Sequence, residues 1–269
     1  SEKLRRALLC AALLLFVGVG CSTVYRAAFS RVHRTDFTVY TAAGQAILDG
    51  ANIYEVQNVR GWYYMYLPIF AVFMVPFALL NTFWASLLWY LISTAALVHA
   101  VELCIGLVRK VFPDLRLGDR WLRPLAYLTV LVPVLTGMTR GQASVLIMYL
   151  VVLGIWFYFE RRPWASGLAF AGAIVLKIFP GLIVLYFLIQ RRFRFAIATA
   201  VWLLAFIIVI PSAVFGPAKN LALLKQWTTT VALPANEGVE VAAGKARYDQ
   251  MIDPRNKRNQ SVRAVAIRT

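Results

Sequence analysis

Charge is what this sequence has least of. Only 15% of its 269 residues are charged, 12 acidic against 28 basic, and they clump, leaving uninterrupted stretches of about 15–25 residues, the length that crosses a hydrocarbon core. With 61% hydrophobic residues and a mean hydropathy of +0.68, the chain exceeds the roughly 45–50% apolar usage of globular domains. A cytosolic enzyme and a disordered tail are both excluded. Cysteine is scarce as well: the three are Cys10 and Cys21 in the first apolar segment and Cys104 in a later one, at no metal or disulfide spacing, so a disulfide-stapled secreted domain is excluded too. His33 and His99 have no carboxylate or cysteine at ligand spacing, and neither is assigned a metal. Internal repeats and low-complexity stretches are lacking. The shortage of acid leaves a net charge of +16, which on a soluble domain would raise nucleic acid as a partner. Here most of the basic residues lie in short loops between apolar segments, where Lys and Arg mark the cytoplasmic face and attract anionic lipid. Membrane lipid is the expected partner, and no nucleic acid.

What is present reads as an all-α, polytopic integral membrane helix bundle. Residues 7–24 form a first apolar run behind Lys3, Arg5 and Arg6, so the N-terminus is expected on the cytoplasmic side and 25–64 outside. Within that loop, Asp36 to Leu48 places Phe37, Tyr40, Ala43, Ile47 and Leu48 near helical period and stops at Asp49-Gly50, which predicts an amphipathic helix at the membrane surface, capped by Thr35 or Asp36. Residues 65–80 are apolar but short and broken by Pro68 and Pro76; residues 83–108 are long and clean. Were both to cross, every later basic loop would lie outside, so 65–80 is expected to dip in and return. Crossings follow at 124–138 and 143–159, joined by a tight turn at Arg140-Gly141-Gln142. Residues 164–189 carry basic pairs at both ends and Lys177-Ile178-Phe179-Pro180 in the middle, which predicts a hairpin of two short helices with Lys177 at its tip. A last crossing spans 195–215. The module 1–215 thus makes about seven crossings by the loop-charge rule, and 216–269 is expected as an external loop or tail. The start at Ser1 and the stop at Thr269, where an apolar run begins, lead us to expect a longer parent chain. Gly20-Cys21 has only a faint likeness to a leader cleavage site.

Four features can carry chemistry, each with a plainer role beside it. Asp36, flanked by Arg34 and followed by Tyr40, is a carboxylate at the water–membrane boundary able to take a proton from a sugar hydroxyl, or merely a helix cap. Lys177 is the one charge between Arg162 and Arg191; beside Pro180 it can hold a phosphate as a point charge, or snorkel to the surface. Arg140, with Gln142 in the same turn, can hold the same anion or serve as an interfacial anchor. Asn259 and Gln260 precede Ser261 in a basic stretch suited to a sugar or lipid phosphate; the triplet is also a glycosylation sequon. Trp62, Tyr63, Tyr64 and Tyr66 form an aromatic belt or a surface for stacking sugars.

The stretch TDFTVYTAAGQAILDGANIYEV, followed by MYLPIFAVFMVPFALL, resembles the opening blocks of the integral-membrane glycosyltransferase family 87, the polyprenyl-phosphate-mannose-dependent α-mannosyltransferases of the GT-C fold. RGQASVLIMYL, RRPWASGLAFAGAIVLKIFPGLIVLYFLIQRRFR and NQSVRAVAIR resemble later blocks of that family, in order. The resemblance covers nearly the whole chain; Tyr66-Leu67-Pro68 departs from the family's Tyr-Pro-Pro. It implies a GT-C type bundle and an inverting sugar transfer, in which the lipid-linked sugar is donor substrate and no cofactor is needed. The acceptor would be a glycolipid or glycan, the enzyme a multi-pass protein of the plasma membrane with its site outside the cytoplasm. In that family the acidic residue of the first external loop, here Asp36, is the general base; from charge and depth Arg140 and Lys177 are expected to hold the lipid phosphate, and with Arg34, Tyr40, Tyr66, Gln142, Asn259 and Gln260 they make the expected substrate-binding set. A transporter or flippase of a lipid-linked or anionic substrate, built around Lys177, and a non-catalytic membrane subunit are the alternatives from other classes.

Overall fold

The computed structural model describes residues 2–30, 35–59, 61–114 and 119–232. Among them every regular element is helical. Helix α1 spans Glu2–Val24 and runs into a π-helical turn, Tyr25–Phe29; α2 is Phe37–Leu48, α3 Pro68–Ala78, α4 Thr82–Val111, α5 Asp119–Thr139, α6 Ser144–Phe159 and α7 Pro163–Leu176. A single 3₁₀ turn at Phe179–Gly181 leads into α8, Leu182–Ile189; α9 is Phe193–Leu204, continued through a π-helical turn into α10, Ile210–Phe215, and α11 is Pro217–Trp227.

Side-chain contacts fix which ends meet. The Trp89 indole N–H donates to Gly141 O (3.0 Å) and the Thr23 hydroxyl to Met138 O (3.1 Å). The finish of α1, the start of α4 and the α5–α6 turn therefore share one end of the bundle. At the opposite end Lys110 pairs with Glu160, and Arg123 holds Glu102 at 2.8 Å. Helix α7 climbs back, delivering Ala173 and Leu176 into the cluster that contains Phe37 and Tyr40. α8 and α9 meet at the far end, where Tyr158 stacks on Phe187 (5.3 Å) and meets Phe195 edge-on (4.8 Å). The chain thus runs between the two ends in α1, α4, α5, α6, α7 and α9–α10, with the short α8 as the return arm of the α7–α8 hairpin.

Helix α3 does not traverse. Its 11 residues rise only about 16 Å at 1.5 Å each, about half a hydrocarbon core. It starts beside Tyr66 and ends just ahead of α4, both at the α2 end. Its partner is α2: Gly44 lets the two backbones close until a Cβ there would sit 2.8 Å from Met74 O. The apolar face of α2 is thus covered by protein, chiefly α3 with Trp89 of α4.

Three helices among the described residues, Thr82–Val111, Leu122–Thr139 and Phe193–Phe215, are long and apolar enough to cross a membrane. The shorter α6, α7 and α8 form the interior and the hairpin. α7 packs by small residues: a Cβ on Gly167 would meet Ala198 C at 2.6 Å, and Ser166 donates to Gly154 O (2.9 Å), the close-approach chemistry of helices in lipid. The turns Glu160–Arg162 and Gln190–Arg192 bend through Arg161 (φ 56°) and Arg191 (φ 55°), putting paired cations at helix C-termini, where the dipole favours them.

The segment after Gly216, expected as a tail, is helical through Ala232. Pro211 lacks the N–H that Ile207 O would accept one turn back, and the backbone widens there into a π turn. Buried Asn220 of α11 fills the gap, its amide donating to Ile207 O and Ser212 Oγ at 3.1 Å each. α11 then straps the α2–α3 loop: Lys219 donates to Gly50 O (3.1 Å), Asn52 to Gln226 (2.9 Å) and Trp227 to Met65 O (3.1 Å). The sequence disguised this helix because its apolar side faces protein, not lipid.

Candidate functional site

The site grows from the start of α2. Thr35 is buried, and its hydroxyl accepts from the Phe37 N–H (3.1 Å) while donating to Arg140 O (2.9 Å). That assigns the cap to Thr35: the Asp36 carboxylate makes no capping bond to the helix. The Asp36 backbone N–H donates to Arg140 O (2.8 Å), so one carbonyl of the α5–α6 turn holds both residues. Gly141 makes this approach possible. It has φ +63°, and a Cβ on it would lie 2.7 Å from Phe37 Cβ and 2.8 Å from Thr35 Oγ1. Trp89 closes the clamp by bonding Gly141 O while its ring lies 5.6 Å from that of Phe37. Asp36 is half-buried, with its carboxylate at the positive end of the α2 dipole, which favours the anion.

One turn further along α2 lies Tyr40, 1% exposed, whose hydroxyl meets that of Tyr66 at 2.9 Å. Tyr66 is anchored from behind, since the Tyr54 hydroxyl donates to its carbonyl (2.9 Å). Burial pushes the Tyr40 phenol well above 10.0, with the Tyr66 and Asp36 charges adding to it. Tyr66 is also raised, first by burial, with its hydrogen bond to Tyr40 working the other way and Asp36 again adding. The Asp36 charge therefore bears on both phenols. Tyr64, buried behind them, donates to Leu67 O (2.8 Å) and is raised by the same burial.

The fold thus brings Asp36, Tyr40, Tyr66, Arg140 and Gln142 to one place, although they come from three separate stretches of sequence. Tyr40 stands in the wall behind Tyr66 rather than on an open surface. The Arg140 side chain is exposed beside the clamp; Gln142 is half-buried, with its backbone N–H on Gly137 O (2.9 Å). Lys177 caps α7 in extended conformation at the same end, at the tip of the expected hairpin. Expected in a cavity, its side chain is exposed instead, flanked by Ile178 and Phe179 at 59% and 60% exposure. Arg34, Asn259 and Gln260 lie outside the described residues. Sequence reasoning missed Thr35 as sole cap, and it missed Trp89 and Gly141; a glycine in a turn that tight was the available signal. Among the described residues no group of three or more His, Cys, Asp or Glu could hold a metal. A separate cavity of about 430 Å³ between α1 and α4, lined by Phe16, Gly20, Cys21, Tyr25, Phe83 and Tyr90 among others, is almost wholly apolar.

An apolar helical bundle with a carboxylate, two coupled phenols and flanking cations at one end defines a polytopic membrane protein with its polar site at one end of the spans. The chain belongs to glycosyltransferase family 87, whose profile matches residues 64–268. That match takes in Tyr66, Arg140, Gln142 and Lys177 and begins after Asp36 and Tyr40. Two curated relatives carry the name polyprenol-phosphate-mannose-dependent alpha-(1-2)-phosphatidylinositol mannoside mannosyltransferase. The one from Mycobacterium tuberculosis is 30% identical over 213 residues, 73% of this chain and 49% of its own length. The one from Mycolicibacterium smegmatis is 29% identical over 216 residues, 74% of this chain and 47% of its own. The chain spans about half the length of these relatives. No solved structure matches it.

Proposed function

We propose that this chain forms the site-bearing half of an inverting membrane glycosyltransferase, which moves mannose from a polyprenyl phosphate to a glycolipid or glycan hydroxyl on the extracytoplasmic side of the plasma membrane. The observation that carries the reading is the Asp36 carboxylate, spared from capping by Thr35 and held by its own backbone against Arg140 O. Family membership and the names of the relatives give the donor class.

In this reading the acceptor oxygen attacks the anomeric carbon as Asp36 takes its proton, and the bond from that carbon to the phosphate oxygen breaks. Polyprenyl phosphate leaves with the bonding pair. Arg140 and Lys177, exposed at the same end, offset the charge that grows on the departing phosphate. Arg34, Gln142, Asn259 and Gln260 complete the proposed sugar and phosphate contacts. The side assignment follows the basic loops: Arg161-Arg162 and Arg191-Arg192 lie at the end opposite α2, where positive residues mark the cytoplasm.

The test is transfer of labelled mannose from polyprenyl-phosphate-mannose in membranes carrying the full-length parent, wild type against Asp36→Asn. The swap keeps size and removes the base. A loss of about a hundredfold or more is expected, the scale of a general base. Equal transfer by both proteins would refute the role of Asp36, and no transfer by wild type would refute the donor.

A further inference from the structure

The Tyr40–Tyr66 hydroxyl contact of 2.9 Å admits either oxygen as donor, yet the surroundings decide its direction. Tyr40 is 1% exposed, and among the described residues the partner of its hydroxyl is that of Tyr66. Were Tyr66 the donor, the buried Tyr40 proton would need another acceptor. The Tyr66 oxygen is the one within reach. Pointing the Tyr40 proton elsewhere would leave a buried O–H unpaired, which costs more than a satisfied bond returns. Tyr66 then has its oxygen filled from behind and its own proton turned outward. The residue is fixed in that pose: Tyr54 holds its carbonyl (2.9 Å), its ring meets those of Tyr40 (5.2 Å) and Phe70 (5.0 Å), and Trp227 holds the neighbouring Met65 carbonyl (3.1 Å).

We infer that Tyr66 is a dedicated hydrogen-bond donor to an oxygen of the bound sugar substrate beside Asp36, and that Tyr40 is its positioning residue, acting only through Tyr66. This rests on the transferase reading for the identity of the ligand. It adds a polarised pair, Tyr40 donating to Tyr66, with the Tyr66 proton turned to the site. Two ligands present suitable oxygens, the phosphate and sugar of the donor and the hydroxyls of the acceptor. The carrier of the bond is whichever loses affinity when the phenol is removed. A relay also predicts non-additivity, because once Tyr66 lacks its hydroxyl there is nothing left for Tyr40 to orient.

The experiment is a double-mutant cycle on equilibrium binding to the full-length parent in detergent, with Tyr40→Phe, Tyr66→Phe and the double variant, against two probes: a polyprenyl phosphate and an octyl α-mannoside. Tyr66→Phe is expected to weaken one probe by about three- to tenfold, the worth of one neutral hydrogen bond. Tyr40→Phe weakens the same probe by less and has no further effect in the Tyr66→Phe background. Weakening of the phosphate probe assigns the bond to the donor, and of the mannoside probe to the acceptor. Unchanged affinity of Tyr66→Phe for both probes overturns the inference, as does a Tyr40→Phe effect that adds in full. The readout is binding, so a wild type that transfers no mannose sinks the reaction proposed above while leaving this cycle to be judged alone.

Discussion

Gly141→Ala is the sharpest perturbation of the site, because one methyl group meets the clamp and leaves the carboxylate itself untouched. At φ +63° an L-residue is strained, by about 1–2 kcal/mol. The added Cβ would lie 2.7 Å from Phe37 Cβ and 2.8 Å from Thr35 Oγ1, against an ordinary contact of 3.4 Å or more. Phe37 Cβ is one bond from the backbone and cannot swing aside. Thr35 Oγ1 can rotate only by abandoning its bonds to Phe37 N–H and Arg140 O. The start of α2 must therefore recede by about 0.7 Å, the difference between 2.7 and 3.4 Å, and overpacking of this kind costs about 1–3 kcal/mol. The total is about 2–5 kcal/mol if nothing relaxes. Asp36 moves with the helix start, and a misplacement approaching 1 Å can cost about a hundredfold in rate. We expect mannosyl transfer by the full-length parent to fall by about ten- to a hundredfold while the protein still inserts and melts cooperatively. Gly50→Ala is the control: its φ is +69°, but nothing lies within 4 Å of the new Cβ, so it carries the backbone strain without the displacement and should retain near-normal transfer. Full activity of Gly141→Ala, or an equal loss in Gly50→Ala, would refute the clamp as the device that places Asp36.

Asn220→Leu should leave Ile207 O unpaired inside the bundle, destabilise by about 1–3 kcal/mol and free α11; a lowered melting temperature with faster tryptic cleavage after Lys219 and Lys225 checks it, and unchanged cleavage counts against the strap. Lys177→Gln, at an exposed tip, should raise KM for the polyprenyl donor by about tenfold, since bonds to charged groups are the stronger kind, with no change in melting temperature; a KM effect on the acceptor instead would move Lys177 to the other substrate. Tyr40 and Tyr64 stay protonated in the folded protein above pH 10.0, where the unfolded chain ionises. The folded state then binds more protons, so the stability these phenols contribute is lost as pH rises through their ordinary range; melting temperatures from about pH 9 to 11 should fall, less steeply in Tyr64→Phe, and parallel curves would refute the burial argument.

Much of the scaffold was legible because its signals are local. Helix α2 announced itself by apolar period and an Asp-Gly stop; the α7–α8 hairpin by basic pairs at both ends and a proline between; the return of α3 by the sign of every later loop. The clamp was not, because Thr35 and Arg140 stand 105 positions apart and no periodicity links a turn to a distant helix start. Asp36 drew notice as a boundary carboxylate able to take a proton, a reading that the family likeness shares, and the Thr35 bonds to Phe37 and Arg140 were out of sight in the sequence. Tyr40 and Tyr66 look alike in sequence. A phenol is apolar along its body and polar at its tip, so which of the pair faces outward is decided by packing against Trp89 and α3. The α11 strap escaped because hydropathy marks contact with lipid and says nothing of apolar residues that cover a loop.

The strap has a consequence for how the protein is made. Met65 and Trp227, joined through the indole, are 162 residues apart, and a ribosome adding about 5–20 residues per second needs about 8–32 s to cover that distance. During that interval the aromatic loop between α2 and α3 exists without its strap. The packing around Tyr66 is therefore completed only after α9–α10 and α11 have been made, and until then the loop leans on α2 and α3 alone. Variants that slow insertion of α9–α10 would lengthen that exposure without altering a single atom of the finished site.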